Sequence, residues 1–276
     1  MHTDEITYDA FIRRWFGRLG NNIQQLSNGI YFCKKENAHF TSPEHPMINA
    51  IDLCFGTTKY TIPETSHNWL FFFNGPEADF VFDVDDLNKN RKKICEDFIL
   101  PNLKVDQTKI KEPLPDDHLI IHLRSGDLFT HWPSTHPQNP LVYYMSLLNL
   151  FEFNATVVSE DERHPFIEVF KKLRVPVEVL SVEDTYAKLL RAVSLATSGI
   201  GSFPVSAALC SKNIKRFYCT NLHQEYSLNH FMLKEHLEVY VMDLGDKYIK
   251  VGEWKYSPET FEKFYNYNEH TLFRRL

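Results

Sequence analysis

His122 and Arg124 stand two residues apart in the run Leu119-Ile120-Ile121-His122-Leu123-Arg124, and Ser125-Gly126-Asp127 follows at once. Alternate residues of an extended chain point to one side, so an imidazole and a guanidinium face the same way beside a glycine turn. A guanidinium offers two parallel donors in one plane and keeps its charge, which suits it to a phosphate. The same residues also permit a plainer arrangement, a strand-end arginine paired with Asp127. A second glycine turn, Gly199-Ile200-Gly201-Ser202-Phe203-Pro204, precedes the small apolar residues Ala207 and Ala208. Its glycines admit close backbone approach, Ser202 is expected to cap the following helix, and a helix start gathers backbone N–H groups.

Three further stretches carry possible chemistry. Gly17-Arg18-Leu19-Gly20-Asn21-Asn22 precedes a helical pattern in which Ile23, Leu26, Ile30 and Cys33 share a face. It reads either as an ordinary βα connection or as a helix start open to an anionic or polyhydroxyl ligand. Asp161 follows an apolar stretch as Arg124 does, with helix capping as its alternative role. Asp83-Val84-Asp85-Asp86 either holds a divalent cation or caps a helix running from Leu87 toward Leu100; the following Lys89, Arg91, Lys92 and Lys93 favour the cap.

The elements that must position these groups read as alternating strands and helices. Leu119-Ile120-Ile121 is the economical buried strand of a parallel sheet. Earlier strands are expected in Tyr8 to Phe16, in Trp69 to Phe73 before the turn Asn74-Gly75-Pro76, and at Phe80-Val81-Phe82. After Asp127 comes a long His- and Pro-rich connection containing His131, Pro133, His136, Pro137 and Pro140. Then follow helix Val142 to Phe151, strand Thr156 to Val158, helix Pro165 to Leu173, strand Val175 to Leu180, helix Asp184 to Val193, and strand Leu195 to Ser198. A helix through Ser206, a strand Ile214 to Tyr218 and a terminal helix opened by Ser257-Pro258-Glu259-Thr260 complete the series. Such alternation is the mark of a doubly wound parallel sheet, whose ligands sit at the carboxyl ends of the strands.

A chain of 276 residues suits two domains, and Pro113-Leu114-Pro115 is the candidate linker, because paired prolines disfavour helix and central strand alike. That gives lobes of 1–112 and 113–256, with the helix in 257–276 expected to complete the first. At 43% hydrophobic and 24% charged the composition is that of a packed globular protein. The net charge of −6 and the lack of a long basic run argue against nucleic acid or an anionic membrane as partner, so any phosphate site must be local. Five cysteines without a C-x-x-C spacing point to reduced thiols and a cytoplasmic protein. No stretch approaches the roughly 20 apolar residues of a membrane span.

Three of these segments together resemble the fucosyltransferase superfamily of α1,2-, α1,6- and protein O-fucosyltransferases. Gly17 to Asn22 is similar to its G-[RG]-[LF]-G-N-Q turn, with Asn22 in place of Gln. Ile121 to Asp127 is similar to its H-x-R-[RX]-G-D motif, with Ser125 where several members carry a second arginine. Asp184 through Leu195 to Phe203 is similar to its D-x-x-x-[LM] and S-S-F stretch, here Gly201-Ser202-Phe203. The resemblance implies a GT-B fold of two facing Rossmann-like lobes with the active site in the cleft. It also implies inverting transfer of fucose from GDP-fucose to a glycan hydroxyl, with no metal required. Arg124 would then grip the donor's β-phosphate, His122 the nucleotide, Ser202 and Phe203 the phosphates, and Asp184 the base, with Asp161 on the same strand edge and Gly20 and Asn21 facing the donor. Asp127 is the nearest candidate base for the acceptor hydroxyl. Other readings stay open: a related GT-B enzyme using another donor such as UDP-xylose, a metal-dependent GT-A enzyme using Asp83 and Asp85, and a non-catalytic nucleotide- or glycan-binding relative.

Overall fold

The computed structural model describes residues 7–8, 10–12, 14–57, 60–61, 83–129, 136–224, 227–255 and 257–276. The strands expected at Trp69 to Phe73 and Phe80 to Phe82, and the loop residues His131 and Pro133, lie outside them. The chain divides into two compact units, Met1–Lys104 and Val105–Leu276.

The first unit contains β1 (Thr7–Tyr8), β2 (Ala10–Phe11), α1 (Leu19–Glu36), β3 (His39–Ser42), β4 (Ile51–Cys54), β5 (Tyr60–Thr61) and α2 (Val84–Ile94). The strand expected within Tyr8 to Phe16 is β2, which joins β3 and β4 in a three-stranded sheet, while β1 before it pairs with β5. Gly17 makes the turn alone, at φ +67°, and α1 opens immediately after Arg18. Gly20 and Asn21 therefore lie inside the first helical turn, and the N–H groups of Asn21 and Asn22 donate to the Arg18 carbonyl at 2.8 and 3.1 Å. Ile23, Leu26, Ile30 and Cys33 are fully buried on their shared face. Polar side chains of the same helix are buried too, and they staple the incoming chain. Asn22 donates to the Phe16 carbonyl at 3.0 Å, and Gln25 donates to the Arg14 carbonyl at 3.2 Å while accepting from the Phe16 N–H.

At α2 the capping alternative for the acidic run is the one observed. Asp83 accepts from the Asp86 N–H at 3.0 Å, while Asp86 binds the Tyr31 hydroxyl and the Lys35 ammonium, both at 2.6 Å. The helix stops at Ile94 rather than reaching Leu100; Cys95–Ile99 widens into a π turn and Pro101 follows in a tight turn. Arg91 is buried against α1, donating to Ser27 and Asn28, and desolvation lowers its pKa to about 10.

The second unit contains β6 (Leu119–Leu123), α3 (Leu141–Leu150), β7 (Ala155–Ser159), α4 (Ile167–Lys172), β8 (Val177–Val179), α5 (Val182–Arg191), β9 (Ser194–Ala196), α6 (Ser202–Cys210), β10 (Arg216–Thr220), β11 (Glu238–Met242), α7 (Pro258–Asn266) and β12 (Arg274–Arg275). One seven-stranded sheet runs β12-β11-β10-β9-β6-β7-β8, parallel throughout except for β12. Numbered as the chain lays them down, the six parallel strands follow the doubly wound order 3-2-1-4-5-6. The point where the chain reverses direction falls between β6 and β9. All five residues of β6 are buried, as its apolar run requires of a central strand. Leu119, Ile121 and Leu123 enter a core with α3, α4 and α7 on one face. On the other face His122 meets Phe203 of α6, with ring centres 5.2 Å apart.

Two domain expectations are corrected here. The Pro113-Leu114-Pro115 segment is part of the second unit, tied to the end of α5: the Leu114 N–H donates to the Arg191 carbonyl at 2.8 Å, and Arg191 Nε donates to the Glu112 carbonyl at 3.0 Å. The terminal helix belongs to the second unit as well. Ser257 caps it as the sequence indicates, but its buried Phe264 stacks on Phe166 at 4.1 Å, so its apolar face is used there. Among the described residues no helix is long and apolar enough to cross a membrane. All five cysteines lie among the described residues, and none is in a disulfide.

Two buried histidines give this unit an acid-sensitive core. His164 lies among the rings of Phe129, Tyr144, Phe166 and Phe264, and its Nδ1 accepts from the Phe166 N–H at 3.2 Å. Burial, with a smaller contribution from the charge of His122, lowers its pKa to about 3; burial and His223 lower that of His230 to about 4. An unfolded chain takes up these protons near pH 6.5 and the folded one does not, so stability falls as the pH drops below about 6.5, by up to about 1.4 kcal/mol per unit and per group. Urea unfolding at pH 7.5 and pH 5.0 is expected to show a lower midpoint at pH 5.0, and His164→Gln a smaller difference between the two.

Candidate functional site

The carboxyl ends of β6 and β9 carry the residues of most chemical interest. Arg124 leaves β6 with its backbone N–H donated to Ser198 Oγ at 2.8 Å, which ties it to the end of β9. Its guanidinium donates through Nη1 to the Ile200 carbonyl at 3.1 Å and through Nη2 to Asp127 at 3.1 Å. Its stem lies along Gly201, where a side-chain carbon would come 3.8 Å from Arg124 Cδ. The side chain is 19% exposed and its carboxylate partner 53%. The pairing with Asp127 is present, and the same guanidinium also reaches the second glycine turn through the Ile200 carbonyl.

Beside it, Ser125 is fully buried and donates to Asp161. Asp161 also accepts from the Arg163 N–H at 2.8 Å and from the Gly126 N–H, with Arg163 Nε 3.7 Å away. Burial pushes this carboxyl upward, but the hydrogen bonds and the Arg163 charge outweigh it and hold the pKa below the usual value. The anion thus pins the turn after β6 to the loop after β7. Capping is not its role, because α4 opens only at Ile167. Gly126 sits at φ +63°, and a side-chain carbon there would meet Glu160 at 2.8 Å.

His122 is buried under the Phe203 ring, which packs in turn on Tyr186 at 5.1 Å. Ser202 does not cap α6: Gly201 takes the cap position, and Ser202 is the first helical residue. The extended Gly201 backbone leaves no side chain between the start of α6 and the Arg124 stem. Asp184 lies in the first turn of α5, which follows the edge strand β8, and exchanges hydrogen bonds with Ser181 at 2.8 and 3.0 Å. Gly20 and Asn21 belong to the first unit. Among the described residues no group of three or more His, Cys, Asp or Glu side chains is arranged to hold a metal ion.

The sequence did not single out the residues that fix the β9 turn. Gln138 and Asn139, in the His- and Pro-rich connection, are fully buried, and the backbone at Gln138 bridges to Gly199. The Asn-Pro pair before α3 is a turn signal, but it says nothing about what the amide bonds. What the cluster offers chemically is a guanidinium, the N–H groups at the start of α6, and a carboxylate that already balances the cation. Comparison with protein-family models, curated proteins and solved structures finds no match for this chain.

Proposed function

We propose that the second unit binds the diphosphate of a nucleotide sugar at the ends of β6 and β9, and that the chain is an inverting glycosyltransferase passing that sugar to a glycan hydroxyl. The observation that carries this reading is the position of Arg124, held by Ser198 and Ile200 at the point where the doubly wound sheet reverses direction. A guanidinium there stabilises the negative charge that gathers on a departing diphosphate, which is electrostatic catalysis of the leaving group. The motif resemblance supports GDP-fucose as donor, with a UDP-sugar as the alternative. Asp127 is the resident counter-ion, and a phosphate must take its place on Nη2; once released, its carboxylate is the candidate acceptor of the hydroxyl proton.

That exchange has a measurable consequence. Asp127→Asn removes the competing charge, so GDP affinity is expected to rise severalfold while turnover falls; unchanged or weaker affinity contradicts the counter-ion role. The activity itself is tested by incubating the full chain with GDP-fucose and with UDP-sugars and following nucleotide release, with NMR of the anomeric centre in the product. Release with inversion is the expected result, and binding without release assigns a non-catalytic nucleotide-binding protein.

A further inference from the structure

The Gly199-Ile200-Gly201 turn owes its shape to a strap of backbone, residues 136–140, that crosses the carboxyl ends of β9 and β10. Asn139 is its fastening. The side chain is fully buried and bonds in two directions: Nδ2 donates to the Thr197 carbonyl at 2.7 Å, and Oδ1 accepts from Thr220 Oγ1 at 2.6 Å. Its own N–H donates to the Ser198 carbonyl at 2.8 Å. One residue thus holds the last turn-forming residues of β9 and the end of β10 together. Next to it the Ile200 N–H donates to the Pro137 carbonyl at 3.3 Å, and the Tyr248 hydroxyl donates to the Gln138 carbonyl at 2.6 Å from behind. Ser198 and Ile200, both fixed by this strap, are among the residues that bond Arg124.

We infer that Asn139 is a positioning residue, which sets the conformation of the β9 turn and through it the aim of the Arg124 guanidinium. Its consequence for ligand affinity rests on the diphosphate-binding reading above. Removing the amide leaves the Thr197 carbonyl and the Thr220 hydroxyl buried without their partner, and the turn relaxes to recover those bonds. Arg124 then loses the fixed Ser198 and Ile200 acceptors that orient it.

The test compares Asn139→Ala with Ser211→Ala in the full chain. Ser211 is equally buried, bonds the Leu190 carbonyl at 2.7 Å and follows the far end of α6, so it reports loss of stability alone. Two readouts are taken: pyrophosphate affinity, and the NMR signal of the Arg124 Nε–H, assigned by its absence in Arg124→Lys. Asn139→Ala is expected to move that signal and weaken pyrophosphate binding by about tenfold, and Ser211→Ala to do neither. Thr220→Val, which removes one of the two bonds at nearly constant volume, carries the same test with a smaller shift if Asn139→Ala does not fold. An Arg124 signal that stays in place, or an equal loss of affinity in Ser211→Ala, overturns the inference. If the wild type binds no pyrophosphate, the functional reading fails, and the Arg124 signal still decides the positioning role.

Discussion

Arg124→Ala is expected to weaken binding of a nucleoside diphosphate by up to about 100-fold, since a hydrogen bond between charged partners such as a guanidinium and a phosphate contributes roughly 1.5–3 kcal/mol. The guanidinium does three things that no smaller group does together. It spans from the Ile200 carbonyl to Asp127, it passes close to Gly201, and it presents a delocalised charge at the switch point of the sheet. Arg124→Lys keeps the charge but cannot hold both acceptors in one plane, so a loss of about tenfold is expected, between wild type and alanine. Calorimetric titration of the three proteins gives the ranking. Thermal unfolding separates a binding loss from a folding loss, because the Arg124 N–H bond to Ser198 does not depend on the side chain.

The second large effect concerns Gly199. Its φ of +129° is strained for any L-residue with a side chain, and an added carbon would lie 2.6 Å from the Pro137 carbonyl, 2.8 Å from Gln138 Cα and 3.2 Å from the Asn139 nitrogen. All three neighbours are backbone, so no flexible side chain can give way. Gly199→Ala must therefore push the strap off the sheet edge, at a cost on the order of 2–4 kcal/mol from strain and overpacking combined. Gly201→Ala is the contrast: its backbone is extended and the nearest atoms would be 3.8 Å away, so stability is expected to change by less than about 1 kcal/mol. Denaturation midpoints of the two variants measure the difference. Similar midpoints for both contradict the account of the turn.

Much of the second unit was legible in the sequence for simple reasons. An unbroken apolar run such as Leu119-Ile120-Ile121 has few options besides a strand buried on both faces, and the alternation that follows leaves a doubly wound sheet as the economical topology. Glycine turns after two of those strands then place Arg124 and Gly201 on one edge. What stayed hidden depends on partners far away in the chain. Asn139 acquires its role from Thr197 and Thr220, and nothing in an irregular loop announces such bonds. The terminal helix shows an amphipathic face, yet that pattern does not say which unit receives Phe264. Ser125 looked like a missing cation, whereas burial and its bond to Asp161 give it a different task. Glycine and asparagine favour turns, so Gly17 to Asn22 reads as one turn leading into a helix; the positive φ of Gly17 completes the reversal, and the helix absorbs Gly20 and Asn21.

The central claim is that a diphosphate binds at the end of β6 through Arg124. The most direct measurement is calorimetric titration of the intact chain with GDP and with UDP, each with and without EDTA, in wild type and Arg124→Ala. The account predicts one-to-one binding of at least one nucleotide, indifferent to EDTA and lost in the variant. If neither nucleotide binds, or if the variant binds as the wild type does, the claim is contradicted.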